Sequence, residues 1–179
     1  MEDKRLNLGC GRLIKPGWTN LDAAALPGVD VVHDIEQFPW PFQDASFDHV
    51  EAEQLLEHVN YIPVVREVHR ILRPGGTFSI GVPHFTSRNS WTDPTHKTTF
   101  AIRTFEFFIK GSRFERDYYF DFAFKRILKQ RMVFEKKWLP YNYAVEFLIN
   151  LHPKIAVLYE ATFVRSLFPA ESVVVVLQK

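Results

Sequence analysis

Leu6-Asn7-Leu8-Gly9-Cys10-Gly11 is the stretch whose reading decides the fold. An apolar run leads into two glycines that flank one small residue. A buried first strand of an α/β sheet ends this way when the next turn must come close to a ligand. Glycine reaches positive φ and presents no Cβ to the approaching group. A Gly-x-Gly alone is a weak sign, and its weight here comes from the order of the residues downstream. An acid stands after a second apolar run (Leu21-Asp22) and another after a third (Val31-Val32-His33-Asp34). Pro74-Gly75-Gly76 then closes a helical pattern.

Working outward, residues 5–8 read as the first strand. The crossover after Gly11 holds Leu13, Ile14, Lys15 and then Pro16-Gly17 before Trp18. A crossover with a full helix needs about a dozen residues or more, so the helix here is expected to be short or absent. Further strands are predicted at residues 18–21, 29–32, 47–52 and 77–82, around 131–134 and at 172–177. Residues 37–45 carry Pro39, Trp40, Pro41 and Phe42 and read as an irregular segment with apolar anchors. A helix is expected to begin at residues 53–59. A second starts at Pro63, with Val64, Val65, Val68, Ile71 and Leu72 on one face. Residues 102–109 and, broken at Pro153, 143–167 read as helical. Alternating strands and helices predict an α/β, doubly wound, mostly parallel sheet. Gly9, Asp22, Asp34, Glu53 and His84 all fall just past strand ends and gather on one rim, where such sheets bind ligands.

These motifs, in this order, resemble the class I S-adenosylmethionine-dependent methyltransferases, the Rossmann-like, methyltransferase type 11-like family. The resemblance covers residues 5–82 well and the remainder loosely. It implies a seven-stranded sheet with helices on both faces and an antiparallel last strand, in one domain over residues 1–179. An insertion or lid replaces a simple connection at about residues 84–118. It implies S-adenosyl-L-methionine as cofactor. Gly9, Cys10 and Gly11 would pass beneath its methionine part, and Asp22 would accept from the ribose hydroxyls. Asp34 would accept from the adenine amino group while Ile35 packs on the ring. Glu53 and Gln54 would lie near the sulfonium. Each residue also has a plain structural reading: a tight turn for the glycines, a helix cap for Asp22 before Ala23-Ala24-Ala25, a turn for Asp34, and first-turn residues favoured by the dipole for Glu53 and Gln54.

For catalysis the residues singled out are His84, past the fifth strand, and Asp93 and His96 in the insertion. An aspartate orients a histidine in the tautomer that accepts a proton. The same three residues suit a metal, or a loop held by side-chain hydrogen bonds, and no metal is assigned. His58 and His69 lie on helical patterns and read as structural. Methyl transfer needs a base only when the acceptor must lose a proton.

Composition narrows the alternatives. A formal charge of +1 gives no field for nucleic acid. The Asn-Pro-Pro-aromatic signature of nucleic-acid methylation is also missing after the fourth strand, where Ala52-Glu53-Gln54 stands. The single cysteine excludes an internal disulfide and a cysteine-based zinc site, and suits a cytoplasmic setting. No apolar run is long enough for stable membrane insertion. A nicotinamide oxidoreductase would want a third glycine where Ile14 stands. The short crossover keeps a non-catalytic relative or regulatory subunit in view. The expected partner is a small-molecule acceptor, sugar- or lipid-linked acceptors included. Phenylalanine is abundant, with 17 residues, mostly past residue 84, and suits a partly apolar lid. The helical stretch from Tyr143 could meet a membrane surface or a second copy in a homodimer.

Overall fold

A computed structural model describes residues 3–179, the Asp117 side chain excepted. Seven strands form one sheet: β1 (Arg5–Leu8), β2 (Thr19–Asp22), β3 (Val31–Val32), β4 (Phe47–Glu53), β5 (Leu72–Pro83), β6 (Arg126–Val133) and β7 (Ser172–Gln178). Their order is β3-β2-β1-β4-β5-β7-β6. From β3 across to β5 every neighbour is parallel, and β7 runs antiparallel to both β5 and β6. The mostly parallel α/β sheet with a reversed last strand is therefore the one the sequence predicts.

The two faces of this sheet differ. One carries Leu6, Leu8, Leu21, Val50, Ala52, Phe78, Ile80, Val82, Val173, Val175 and Leu177, all buried in the main core. Against it packs α1 (Tyr61–Ile71), through Val64, Val65, Val68 and Ile71, none of them exposed. Each such side chain contributes roughly 1.5–3 kcal/mol when fully buried. The helix begins two residues before Pro63, which is tolerated because a first-turn residue needs no intrahelical N–H partner. It ends at Ile71, short of Pro74-Gly75-Gly76. Those residues sit within β5 instead, where the register with β4 shifts between Phe47 and His49.

The opposite face carries Asn7, His49, Glu51, Thr77 and Ser79. No helix among the described residues follows β1, β2 or β3, so the helical cover expected on this side is absent over β1 and β2. The 12–18 crossover replaces it. Lys15 pairs with Glu51 and lies over the Trp18 ring, which meets His49 edge-on. Beneath it, buried Asn7 donates to Leu13 O (2.8 Å) and to Asn20 Oδ1 (3.0 Å), and Asn20 Nδ2 reaches Asp30 Oδ2 (3.1 Å). A hydrogen-bonded polar layer satisfies this face where apolar helix packing would otherwise be needed.

Residues 84–118 and the chain up to β6 build part of the core. They contain α2 (Asn89–Thr92) and a 3-10 turn at Thr104–Phe108. Phe100, Phe105 and Phe108 are buried, with Phe100 and Phe105 stacked at 5.5 Å and Tyr61 of α1 edge-on to Phe100. The aromatic richness of the second half is thus spent largely on a core. Three helices join β6 to β7: α3 (Asn142–Asn150), α4 (Pro153–Ala161) and α5 (Val164–Leu167). On α3, Asn150 accepts from Met132 N (2.9 Å) and donates to Met132 O (2.8 Å), blocking the open edge of β6. Trp138, Tyr143, Phe147, Leu151, Leu158 and Phe163 remain exposed along this arm. No helix of the described residues is long and apolar enough to cross a membrane.

Candidate active site

Strand order reverses between β1 and β4, so the crevice of this sheet opens at their carboxyl ends. The loop after β1 starts there. Gly9 and Gly11 both hold positive φ, +64° and +50°. A Cβ on Gly9 would be strained by this φ and would fall 2.5 Å from Leu55 Cδ1, displacing the Leu55 side chain from over the loop. A Cβ on Gly11 would meet nothing within 4 Å, which leaves open space at the surface of the turn. Cys10 between them is buried, and its amide donates to Leu21 O (3.0 Å). Burial, then the Asp22 charge, pushes its thiol pKa up, which removes it as a nucleophile.

Asp22 ends β2 and ties the loop in place. Oδ2 accepts from Gly11 N (2.7 Å) and Oδ1 from Ala24 N (2.9 Å). An ionised carboxylate offers about four acceptor positions, so two remain for a ligand. The cap role that the sequence allowed is thus present in altered form: Asp22 holds the 22–24 turn and no helix follows it. On the adjacent strand end, Asp34 is exposed, with Oδ1 accepting from Glu36 N (2.9 Å) in a turn. Ile35 beside it is buried, and its carbonyl accepts the Trp40 indole N–H (3.0 Å). These contacts fix the segment that presents Asp34. They leave the glycine turn, a half-satisfied Asp22 and an exposed Asp34 at the carboxyl ends of neighbouring strands.

Past β4, the chain bends at Gln54, whose φ of +50° is unusual for a residue with a side chain. Gln54 N donates to Gly81 O (2.8 Å). Glu53 lies against Gly81 of β5, where any Cβ would collide with its carboxylate. Although the residue as a whole is exposed, this partial burial raises the Glu53 pKa, with the Glu51 charge second. After the bend comes a 3-10 turn at Leu56–His58, in place of the helix expected from residue 53.

The three residues singled out for catalysis do not come together. His84 is fully buried. Its Nδ1 meets Thr86 Oγ1 (2.7 Å) and its Nε2 meets Glu160 Oε1 (2.9 Å), so both ring nitrogens are engaged inside the protein. Glu160 also accepts from Ile102 N (2.6 Å). His84 is therefore an anchor between β5, the insertion and α4, and its reading as a base is withdrawn. Beside His96 stands His58 instead, its ring edge-on at 4.6 Å. Thr95 Oγ1 donates to Asp93 Oδ1 (2.6 Å) and meets His58 Nδ1 (2.8 Å), so Asp93 orients a histidine other than the expected one. His58 thus lines an open groove with Gln54, Glu57, Asp93 and His96 while its contact with Thr95 ties the 93–97 segment to the turn after β4. The groove encloses about 530 Å³. His69 keeps its structural reading, packed against Phe122 and Phe124.

Glu57 was missed altogether, although Glu57-His58 just past a strand end is a legible signal. It is only 1% exposed, and neither carboxylate oxygen has a hydrogen-bond partner. Burial pushes its pKa up to about 7, with the Glu53 and Asp93 charges acting in the same direction. Its own backbone N–H eases this in part without closing a hydrogen bond. A second groove of about 490 Å³ shares Asn89 and runs past Thr86, Ser87 and Arg88 to Trp138 and Leu139.

Comparison with known proteins agrees with this geometry. Residues 6–80 match the family model described as a methyltransferase domain. A demethylmenaquinone methyltransferase from Listeria welshimeri serovar 6b is 37% identical over 65 residues, which are 36% of this chain and 27% of that protein. The match thus spans about a quarter of that relative's length. An S-adenosylmethionine-dependent methyltransferase from Archaeoglobus fulgidus superposes with a TM-score of 0.65 at 17% identity, covering 99% of this chain and 86% of its own. The YcgJ protein from Bacillus subtilis superposes with a TM-score of 0.55 at 15% identity, covering 99% and 91%. At these identities the superpositions speak for the fold.

Proposed function

We propose that this chain, a class I Rossmann-like methyltransferase by its fold and by the match over residues 6–80, transfers a methyl group from S-adenosylmethionine to a small-molecule acceptor. The observation that carries the reading is Asp22, whose carboxylate ties the glycine loop while keeping acceptor positions to spare. Gly9, Cys10 and Gly11 would lie beneath the methionine part and Asp22 would take the ribose hydroxyls. Asp34 would accept from the adenine amino group, with Ile35 at the ring. Glu53 and Gln54 would line the sulfonium end. When bound, the cofactor supplies an electrophilic methyl already activated by its sulfonium.

The chain's own task is then placement. Transfer needs nucleophile and methyl about 3 Å apart, in line and shielded from water. Leu55, closing over Gly9, sets apolar surface beside the loop. The groove at Gln54, Glu57, His58 and His96 opens past β4 on the same side of the sheet, where an acceptor would approach. With no ion held between them, the ring nitrogens of His58 and His96 would be able to take a proton from an acceptor hydroxyl. The adjoining groove toward Trp138 and Leu139 supports an acceptor with an apolar portion, and the partial match to a methyltransferase named for menaquinone chemistry favours a lipid-linked one.

Titration calorimetry with S-adenosylmethionine, its demethylated product and NADH tests the reading. Heat from the first two and none from NADH is expected; the reverse pattern overturns it. Release of the demethylated product across a panel of acceptors then identifies the substrate class.

A further inference from the structure

Among the described residues, Glu57 is the one side chain whose carboxylate oxygens are both buried and unpartnered. A buried polar atom without a partner costs about 1–3 kcal/mol, and more when charged, so natural proteins seldom keep one without a use. Glu57 has two such atoms at 1% exposure. It does not stand alone. Glu57, His58 and His96 each offer one ligand atom, and the three atoms lie within 4.8 Å of one another.

The surroundings prepare both histidines for ligation. Thr95 spends its proton on Asp93 Oδ1, so its oxygen accepts from His58 Nδ1–H, which puts the ring lone pair on Nε2. His96 Nδ1 meets Ser90 O (3.3 Å), a pure acceptor, and its lone pair likewise falls on Nε2. Outer hydrogen bonds that fix the tautomer and aim the ring are a regular feature of metal-binding histidines. Lys97, the nearest cation in sequence, is turned away and paired with Glu36 (3.0 Å). Its backbone N–H donates to Glu57 O (2.7 Å) and stitches the 93–97 segment to the turn that carries Glu57 and His58.

We infer that Glu57, His58 and His96 form a binding site for a divalent transition-metal ion, with open coordination positions facing the groove. Two imidazoles and one carboxylate favour Zn²⁺, Mn²⁺, Fe²⁺ or Co²⁺ over Ca²⁺ and Mg²⁺, which prefer all-oxygen cages. Three protein ligands leave room for water or another oxygen donor, the pattern of working rather than purely structural sites. If the chain is the methyltransferase proposed above, that donor is an oxygen of the acceptor. The metal site itself does not depend on that reading.

The test titrates metal-stripped, tag-free full-length protein with Co²⁺ and follows the visible d–d absorption, with Zn²⁺ and Mn²⁺ as competitors. Saturation at about one ion per chain is expected. Glu57→Gln keeps the shape of the side chain and, like His96→Ala, should weaken Co²⁺ binding by about 100-fold or more. Thr95→Val touches no ligand atom and should weaken it by about 10–100-fold through the loss of the His58 hydrogen bond. His152→Ala, at a histidine outside the groove, should change nothing. Absence of saturable binding of all three metals by the wild-type chain overturns the proposal, as does binding that survives the Glu57→Gln/His96→Ala double variant. Titration of the same preparation with the demethylated cofactor separates the two readings. Metal bound without cofactor sinks the transferase reading alone, and cofactor bound without metal sinks this one alone.

Discussion

Removing the Asp22 carboxylate affects two functions that can be measured apart. In the structure it accepts from Gly11 N at 2.7 Å and Ala24 N at 2.9 Å. Hydrogen bonds to a charged group contribute about 1.5–3 kcal/mol each. Ala24 is exposed and recovers water once its partner is gone, whereas the half-buried Gly11 N–H recovers less. Asp22→Ala should therefore lower unfolding stability by about 2 kcal/mol. If the remaining acceptor positions hold both ribose hydroxyls, cofactor affinity should fall by about 100-fold, or about 2.7 kcal/mol. A loosened loop alone could also weaken binding, so the informative assay is a double-mutant cycle. Wild type and Asp22→Ala are titrated calorimetrically with the demethylated cofactor and with its 2′-deoxy analogue. The analogue should bind wild type about 10-fold more weakly and bind Asp22→Ala no more weakly than the parent compound does. Additive losses, with no coupling between side chain and hydroxyl, refute the ribose assignment and leave Asp22 a loop tie only.

Glu57 makes the metal-free protein sensitive to pH. Its folded pKa, about 7, lies above the ordinary 4.5, so folding favours the protonated form. The stability this contributes is full below pH 4.5 and is lost as pH rises through 7, by about 3 kcal/mol. With chelator present, Glu57→Gln should match wild type near pH 4 and exceed it by about that amount at pH 8.5 in urea unfolding; equal stability at both pH values would refute the raised pKa. Glu160→Ala should strand His84 Nε2 and Ile102 N–H, costing about 2–4 kcal/mol of stability while leaving cofactor affinity within about twofold. A selective loss of cofactor binding with unchanged stability would instead return His84 to the active site.

The sheet was legible because its strands end in chemistry. Gly9, Asp22 and Asp34 each stop an apolar run, and the four valines before Leu177 admit few readings other than a buried strand. The bare side of the sheet was legible too, in a signal left unused. Parallel strands covered on both faces read as continuous apolar runs. Here β4 alternates Val50 and Ala52 with His49, Glu51 and Glu53, and β5 alternates Phe78, Ile80 and Val82 with Thr77, Ser79 and Gly81. That alternation marks a face meant for polar neighbours. What sequence could not supply was the partner of each histidine. His84 and His96 stand 12 positions apart and both come after the same strand. Yet one faces α4, from a segment 76 positions further on, and the other faces the turn after β4. Side-chain direction at a rim is set by packing from distant elements, which linear spacing does not encode.

The bend at Gln54 connects the two halves of the candidate site. A non-glycine residue at positive φ costs about 1–3 kcal/mol and persists only where its surroundings hold it. Here Gly81 holds it twice, by accepting the Gln54 N–H and by leaving space for Glu53. The bend lets Leu55 close over Gly9 at one end and sends Glu57 and His58 into the groove at the other. Glu36 links the halves again from below, accepting from Asn60 N (2.8 Å) and pairing with Lys97. A loop that presents Asp34 and a segment that presents His96 thus share one carboxylate. Adenosine binding on the first strands and ion binding past β4 are expected to be coupled through these few contacts, each ligand tightening the other's affinity by the same factor. Measured cofactor affinity should therefore rise when Co²⁺ is present, and Glu36→Gln should remove that rise while sparing the binding of either ligand alone. Equal cofactor affinity with and without the ion in the wild-type chain would show that the two halves act independently.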